Sequence, residues 1–446
     1  MHLLAIPNMI GAHLGGWRHP SAYSNPVMNL PRMIEYAQLA ERGKLDGLFL
    51  ADGNGIREMD KPALFAANFP SARPGVFDPV VLMTALAGRT DRIGLVSTAT
   101  TTFDEPWFVA RRFASLDHVS GGRAGWNAVT ASNAGDALNF SHSQPVGREE
   151  RYARAEEFIE VVRGLWDSWA DDAFIQDKAT GQFLDPARVR RLDHAGRHFK
   201  VAGPLNVPRT PQGQPVVFTA GQSAAGKELA ARHADAMFGA GDSKETCQAE
   251  YADIKGRMAR HGRDPDTLRF IPGVTVFAGH GAAEADELYE ELNALIPPAL
   301  GVDYLSKIVT QDLSALPLDS RMPELADQVV GSSTVRSLVV RQIRAQDMTV
   351  RDAARMVVRD FGTPVVKGSA TDVADVLEDW YRGRACDGFV LTFPVVPLGL
   401  QNFVALVIPE LQRRGLFRTE YEGATLRDHL RLPKPANSRF GPRRPR

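Results

Sequence analysis

The chain has 446 residues, of which 44% are hydrophobic and 24% charged, so it can bury a substantial core and is not expected to be disordered. Its 52 Lys and Arg against 53 Asp and Glu give a formal net charge of −1, which argues against nucleic acid or an anionic membrane as the main partner. The only two cysteines, Cys247 and Cys386, lack a disulfide or zinc spacing, and no run of about 18 apolar residues occurs. These features predict a soluble, cytoplasmic protein.

Short apolar runs alternate with amphipathic stretches in the N-terminal half. Strands are predicted at residues 2–8, 46–53, 92–102 and 123–131, and helices at residues 31–43, 79–90 and 106–122. Strict alternation of strand and helix indicates parallel strands with covering helices.

The C-terminal half keeps this alternation of strands and helices, but longer segments separate some of the strands. A helix at 149–169 precedes a polar region, about 170–213, that is predicted to be an insertion. Further strands are predicted at 215–221, 234–241, 269–279 and 386–395, with a last helix at 371–383 and a second, largely helical insertion at about 280–370. In this insertion Thr349 and Asp352 form a capping box. Eight strand–helix units predict an α/β protein, a TIM-type (β/α)8 barrel with long insertions after strands 4 and 7.

The barrel is predicted to form a single domain over residues 1–437. Residues 438–446 are basic and include two prolines, which predicts a flexible, solvated tail. A short arm that docks on a neighbouring subunit is the alternative.

Ligands of a parallel barrel bind at the carboxyl ends of the strands, so polar residues there are the candidates. They include His13 and Trp17 after strand one, Asp52 after strand two, Thr98 and its neighbouring hydroxyls in strand three, Asn127, Thr130 and Ser132 in strand four, and Gly221, Gln222 and Ser223 after strand five. The last turn leads into a helix, whose N-terminal N–H groups favour a phosphate.

Each candidate also has an ordinary structural explanation. Ser223 and Asp52 are typical helix caps, and threonines favour strands for steric reasons. His13 is also compatible with loop surface, and Arg151 with Tyr152 is compatible with the exposed side of a helix. The sequence contains no paired acid/base carboxylates, no metal-ligand cluster, no Walker loop and no G-x-G-x-x-G after a strand. This set suggests a cofactor that supplies its own chemistry.

Several stretches together resemble one family. They are "HLGGWRHP", "ARRFASLDHVSGGRAGWNAVTASN", "EERYARAEEF", "GPLNVPRTPQGQPV", "AARHAD" and "PELQRRGLFRTEYEGATLRDHL". They are similar to flavin-dependent monooxygenases of the bacterial-luciferase superfamily, in the group that holds the large components of nitrilotriacetate monooxygenase, pristinamycin synthase and dibenzothiophene-sulfone monooxygenase.

The resemblance implies an FMN site. Asp52 and Thr98 match positions near the isoalloxazine or its polyol, and Asn127 matches one at the ring edge. Tyr152 and Arg151 match positions near the phosphate, as does the turn of Gly221, Gln222 and Ser223. Arg148 stands where the family commonly has His and is expected to turn toward the phosphate. His13 and Trp17 are the candidates for contact with the substrate.

The resemblance also implies a two-component monooxygenation. Reduced FMN comes from a separate NAD(P)H:flavin reductase and reacts with O₂ to a C4a-(hydro)peroxide, which transfers one oxygen atom to a small organic substrate. Like other members, the chain is expected to form a homodimer or tetramer. Two alternatives remain: a deazaflavin-dependent hydride-transfer oxidoreductase and a non-catalytic flavin-binding protein. The substrate cannot be deduced from the sequence.

Overall fold

The computed structural model describes residues 1–56, 75–131, 134–142, 146–325, 334–360 and 363–441. Eight parallel strands form a closed barrel, as the sequence predicts, because each pairs with its neighbour in chain order and the eighth pairs with the first. They are β1 (His2–Ala5), β2 (Gly47–Leu50), β3 (Gly94–Thr100), β4 (Ala124–Val129), β5 (Val216–Thr219), β6 (Ala236–Gly239), β7 (Arg269–Ala278) and β8 (Gly388–Thr392).

The inside of the barrel is filled by alternate strand residues. Leu4, Phe49, Val96 and Phe218 belong to one buried cluster. Gly125 makes room for it, because a Cβ there would lie 2.9 Å from Val96 Cγ2 and 3.1 Å from Phe218 Cε2. The last helical turn, Leu426–His429, adds Leu426 to the same cluster.

Helices surround the barrel. They are α1 (Leu30–Arg42), α2 (Pro79–Ala87), α3 (Pro106–Ser120), α4 (Arg148–Trp166), α5 (Ala224–His233), α6 (Lys244–Arg260), α7 (Ala282–Ala294), α8 (Pro298–Val309), α9 (Thr334–Gln346), α10 (Val350–Asp360) and α11 (Ala370–Arg382). Further helical turns run through Leu398–Arg413. The first three helices have Pro in the first turn, where its missing N–H costs nothing. No helix in the described ranges is long and apolar enough to cross a membrane.

The segment after α4 contains a two-stranded antiparallel pairing of His194–Ala195 with Lys200–Val201. The start of the predicted tail packs against this segment. The Ser438 N–H donates to Asp167 at 2.9 Å, and Phe440 is 7% exposed, with the guanidinium of Arg190 4.6 Å from its ring. Residues 438–440 are therefore held on their own chain, and residues 442–446 lie outside the described ranges.

Helices α8, α9 and α10 share a hydrophobic core of their own, to which Leu14 of the loop after β1 belongs. The Leu14 N–H also donates to Val358 O at 2.9 Å. The predicted capping box at the start of α10 is present, since Asp352 N–H donates to Thr349 Oγ1 at 3.1 Å and Thr349 N–H lies 3.4 Å from Asp352 Oδ2. This helical segment therefore packs on the carboxyl side of β1.

One strand of the sheet that forms the barrel was not predicted. Val365–Gly368 pairs in parallel with Thr275–Ala278 at the carboxyl half of β7, inside the region predicted to be helical. Its four residues contain only two apolar side chains, so the pairing depends on β7 and leaves no periodic signal in the sequence.

Candidate active site

A polar pair lies inside the barrel toward the carboxyl ends of β3 and β4. Asn127 is in register with Thr98 and Phe218, and Phe218 belongs to the interior cluster, so Asn127 faces inward. Its Nδ2 donates to Thr98 Oγ1 at 2.9 Å, and Thr98 Oγ1 donates to Leu50 O at 2.7 Å. Asn127 is 2% exposed, yet its Oδ1 has no hydrogen-bond partner in the described part of the chain. An orphaned buried acceptor of this kind costs about 1–3 kcal/mol, so it favours a ligand with a donor group.

A second polar pair comes from β7 and β8. Thr275 Oγ1 lies 2.8 Å from Thr392 Oγ1, which donates to Val274 O at 3.2 Å. The sequence analysis missed both threonines. Thr392 is the last residue of β8, so the end-of-strand position that pointed to Asn127 could have found it. Thr275 lies inside the apolar run of β7 and gives no such signal.

Most of the other hydroxyls of β3 have structural partners. Ser97 Oγ donates to Pro79 O at 3.2 Å, and both Thr100 and Thr101 donate to Val129 O at 3.2 Å. Of this group only the Thr102 hydroxyl is buried without a partner among the described residues. Ser97, Thr100 and Thr101, which neighbour Thr98 in the sequence, are therefore engaged within the chain.

The indole of Trp126, the residue before Asn127 in β4, points away from the site. Trp126 is fully buried among residues of α3 and α4, and its Nε1 donates to Ala99 O at 3.1 Å. Asn127 is therefore the polar side chain of β4 that faces the barrel interior. Thr130 is half-buried at the strand end, and Ser132 lies outside the described residues.

The turn after β5 forms a compact polar corner with α4. Ser223 caps α5 by accepting from Gly226 N at 3.1 Å, and its Oγ donates to Tyr152 Oη at 3.2 Å. A Cβ on Gly221 would lie 2.9 Å from Tyr152 Oη and 3.1 Å from Gly226 Cα. The cap and the ligand hypothesis are therefore compatible, because the cap leaves other first-turn N–H groups of α5 without a helical partner.

In Gln222, in the same turn, the amide nitrogen is hydrogen-bonded within the described chain and the amide oxygen is not. Its Nε2 donates to Phe238 O at 3.0 Å, whereas its Oε1 is buried without a partner within the described ranges.

The start of α4 brings two arginines together. Arg148 is exposed in the first turn, and Arg151 is half-buried, with its guanidinium at the carbonyl of Ala131 and its Nε buried without a partner in the part of the chain described. Burial lowers the pKa of the Arg151 guanidinium; the positive charge of Arg148 lowers it further, and Tyr152 opposes the shift. Two cations so placed favour an anion between them.

Of the two candidates on the loop after β1, one is buried and the other is exposed. His13 is 1% exposed: its Nδ1 accepts from Gly15 N at 3.0 Å, and its Nε2 lies 3.4 Å from Asn293 Oδ1. Trp17 is 45% exposed, and Asp52 on the next loop is half-buried. Asn293 of α7 gave no signal in the sequence, because an amide in an amphipathic helix is usually surface.

The fold and the polar barrel mouth define a class, the parallel barrels that hold an organic cofactor at the carboxyl ends of their strands. Within that class the assignment is specific. The family described as luciferase-like monooxygenase matches residues 9–386, and the chain belongs to it. It is accordingly a flavin-dependent monooxygenase, and the resemblance seen in the sequence is confirmed.

Individual relatives cover nearly the whole chain. N-acetyl-S-(2-succino)cysteine monooxygenase of Bacillus subtilis (strain 168) is 44% identical over 96% of this chain and 95% of its own. Nitrilotriacetate monooxygenase component A of Aminobacter aminovorans is 44% identical over 98% of both chains. Dibenzothiophene-sulfone monooxygenase of Rhodococcus erythropolis (strain XP) is 38% identical over 98% of this chain and 97% of its own.

Solved structures give the same result. EDTA monooxygenase from Chelativorans sp. BNC1 has a TM-score of 0.79 at 34% identity, covering 97% of this chain and 99% of that one. Long-chain alkane monooxygenase has a TM-score of 0.83 at 31% identity, covering 96% and 95%.

Proposed function

We propose that the chain is the large component of a two-component monooxygenase that uses reduced FMN from a separate NAD(P)H:flavin reductase. The observation that carries the proposal is the buried, unpartnered Oδ1 of Asn127 at the barrel mouth. A flavin ring has an N–H between two carbonyls at its pyrimidine edge, which matches this acceptor. Reduced FMN, when bound, supplies the electrons that activate O₂.

The remaining candidate residues are assigned to different parts of FMN. Tyr152, Ser223 and the first turn of α5 offer hydroxyl and N–H donors for a phosphate monoester, and Gly221 keeps the approach open. Arg148 and Arg151 add positive charge next to Tyr152. Asp52 is assigned to the isoalloxazine or its polyol, and Gln222 to the phosphate turn with Gly221 and Ser223. The residues present therefore fit FMN.

Exclusion of water is the second task, because reduced flavin in contact with water and O₂ yields hydrogen peroxide unproductively. The segment of α8 to α10 packs on the loop that carries His13, and it keeps that side chain 1% exposed. His13 donates from Nε2, since its Nδ1 accepts from Gly15. We assign it to a polar contact near the reacting centre and assign Trp17, on the same loop, to the substrate entrance.

The substrate class is a small carboxylate-bearing compound. The two relatives at 44% identity are named for N-acetyl-S-(2-succino)cysteine and nitrilotriacetate, both of which are polycarboxylates. The sulfone monooxygenase is more distant, at 38%. The name "component A" of one relative supports the need for a separate reductase here.

The active unit is proposed to be a homodimer, with pairing into a tetramer as an extension. Phe108 and Val119 are 52% and 59% exposed on α3, and Val81 is 65% exposed on the adjacent α2. Multi-angle light scattering should give at least twice the chain mass, and Phe108→Glu should lower it. A monomer mass at micromolar concentration would contradict this assembly.

The activity is tested with the protein, an NADH-dependent flavin reductase and FMN, against nitrilotriacetate, iminodiacetate, a sulfone and a thioether. Mass spectrometry should detect an oxidised product from a carboxylate substrate only when protein, reductase and O₂ are all present. Turnover of a substrate without O₂ by hydride exchange with an added deazaflavin would favour the deazaflavin alternative, and flavin binding without any product would favour a non-catalytic protein.

A further inference from the structure

A cavity of about 350 Å³ lies between α7, the end of α9 and α10. This is within the range of small-molecule sites, about 300–1,000 Å³. A smaller cavity of about 180 Å³, lined by Ile296, Pro297 and Val358 among others, adjoins it. Asn293 and Arg355 line both cavities, so a ligand there would meet these two side chains first.

Some of the charged residues around the larger cavity have partners among the described residues and others do not. Arg321 is paired with Asp347, at 3.2 Å, and Asp352 is used in the cap of α10. Arg355 and Glu290 are both exposed at the rim of the cavity, and neither is paired with a residue that the structure describes. One cation and one anion at this cavity are therefore accessible to a ligand.

Asn293 connects this cavity to the barrel mouth. It is 8% exposed, and its Oδ1 lies 3.4 Å from His13 Nε2. The His13 Nδ1 accepts from Gly15, so Nε2 carries the proton and Asn293 Oδ1 is the acceptor, which fixes the amide orientation. The Asn293 Nδ2 is then a buried donor without a partner in the described ranges.

We propose that this cavity is a binding subsite for the aminocarboxylate end of the substrate. A carboxylate would accept hydrogen bonds from Arg355 and from Asn293 Nδ2, and a protonated amine would pair with Glu290. The contact on Nδ2 would also strengthen the Oδ1 contact that holds His13, because hydrogen bonds in a chain polarise one another. This subsite rests on the proposed function, since it names the substrate class of that site.

The test compares two isosteric probes, iminodiacetate and glutarate, which differ only in NH₂⁺ against CH₂ at neutral pH. Isothermal titration calorimetry on the flavin-free full chain should give saturable binding of both, with iminodiacetate about tenfold tighter. Arg355→Gln should weaken both probes about tenfold or more, whereas Glu290→Gln should weaken only iminodiacetate, to the level of glutarate. Arg260→Gln, an exposed arginine on α6, is the matched control and should change neither.

Equal affinities in Arg355→Gln and the unmutated protein would overturn the proposal, as would absence of saturable probe binding. An unchanged iminodiacetate preference in Glu290→Gln would overturn the role of the amine. FMN titration of the same variants separates the two claims. Arg355→Gln should bind reduced FMN as the unmutated protein does. If the unmutated protein does not bind reduced FMN, the proposed function is contradicted, whereas the result for the two probes still stands.

Discussion

The side-chain amide of Asn127 donates to the hydroxyl of Thr98 at 2.9 Å, and this contact determines which way the amide faces. Thr98 Oγ1 has already donated its proton to Leu50 O, so it can only accept from Asn127. The Asn127 Oδ1 is therefore turned to the interior with no partner among the described residues. In the free protein this unsatisfied acceptor costs free energy, and a ligand that donates a hydrogen bond to it removes that cost.

Asn127→Ala should weaken binding of reduced FMN by about 1–2 kcal/mol, because the ring loses its acceptor. Thr98→Val should have a smaller effect of the same sign, because Asn127 then loses the contact that orients it. Ser97→Ala is the control, since this hydroxyl bonds to Pro79 O on the outer side. Anaerobic titration followed by flavin absorbance measures all three, and equal affinities for Asn127→Ala and the unmutated protein would contradict the assignment.

Ser223→Ala and Tyr152→Phe should each weaken FMN by about 1–2 kcal/mol and leave riboflavin almost unchanged. Riboflavin lacks the phosphate, so the difference isolates that contact from any general loosening of the α5 cap. The effects should not add in the double variant, because the two hydroxyls are hydrogen-bonded at 3.2 Å. FMN should also bind much more tightly than FAD. Parallel losses for riboflavin and FMN would show that the turn is only structural.

Arg148→Ala should weaken FMN binding by about 1.5–3 kcal/mol and make it less sensitive to salt, because a charge-assisted contact to the phosphate is lost. Arg148→His, which restores the residue common in the family, should retain activity. Fluorescence titrations at two ionic strengths measure this. An affinity within about 0.5 kcal/mol of the unmutated protein would instead identify Arg148 as a surface residue.

Acid should destabilise the chain through His429 at the base of the barrel. This side chain is 1% exposed, and burial, with Arg418 nearby, lowers its pKa to about 4. The unfolded chain takes up this proton near pH 6.5, so the contribution to the free energy of unfolding is full above that pH. It is lost as pH falls from 6.5 to 4, by about 3 kcal/mol.

His429→Phe should remove that part of the pH dependence and keep stability at neutral pH, because neither ring nitrogen has a hydrogen-bond partner in the described chain. Urea unfolding at pH 7, 5.5 and 4.5 measures the effect. The exposed His280→Phe variant should retain the full pH dependence. An undiminished loss of stability in His429→Phe would place the acid sensitivity elsewhere.

The barrel was predictable because its strands and helices alternate in hydrophobic period, and Asn127 was predictable from its place at a strand end. The sequence does not indicate which face of a buried strand meets the ligand, and the structure shows that the neighbouring Trp126 points to α3 and α4. Thr275 and Thr392 were missed because each lies in an apolar run typical of core.

Asn293 could not be found from the sequence at all. Its importance comes from the approach of α7 to the loop of His13, 280 residues away in the chain. The pairing of Val365–Gly368 with β7 is likewise a tertiary contact with no local pattern. Contacts that depend on how an insertion folds back on a barrel leave no periodicity to detect.

The most direct test is a single turnover in which the protein, loaded anaerobically with reduced FMN, is mixed with O₂ and nitrilotriacetate or iminodiacetate. Hydrogen peroxide and oxidised product are then measured together. The account predicts that each mole of product formed lowers the peroxide yield by one mole, with Asn127→Ala shifting the balance back toward peroxide. Full recovery of the consumed O₂ as hydrogen peroxide, the same with and without protein and substrate, would contradict it.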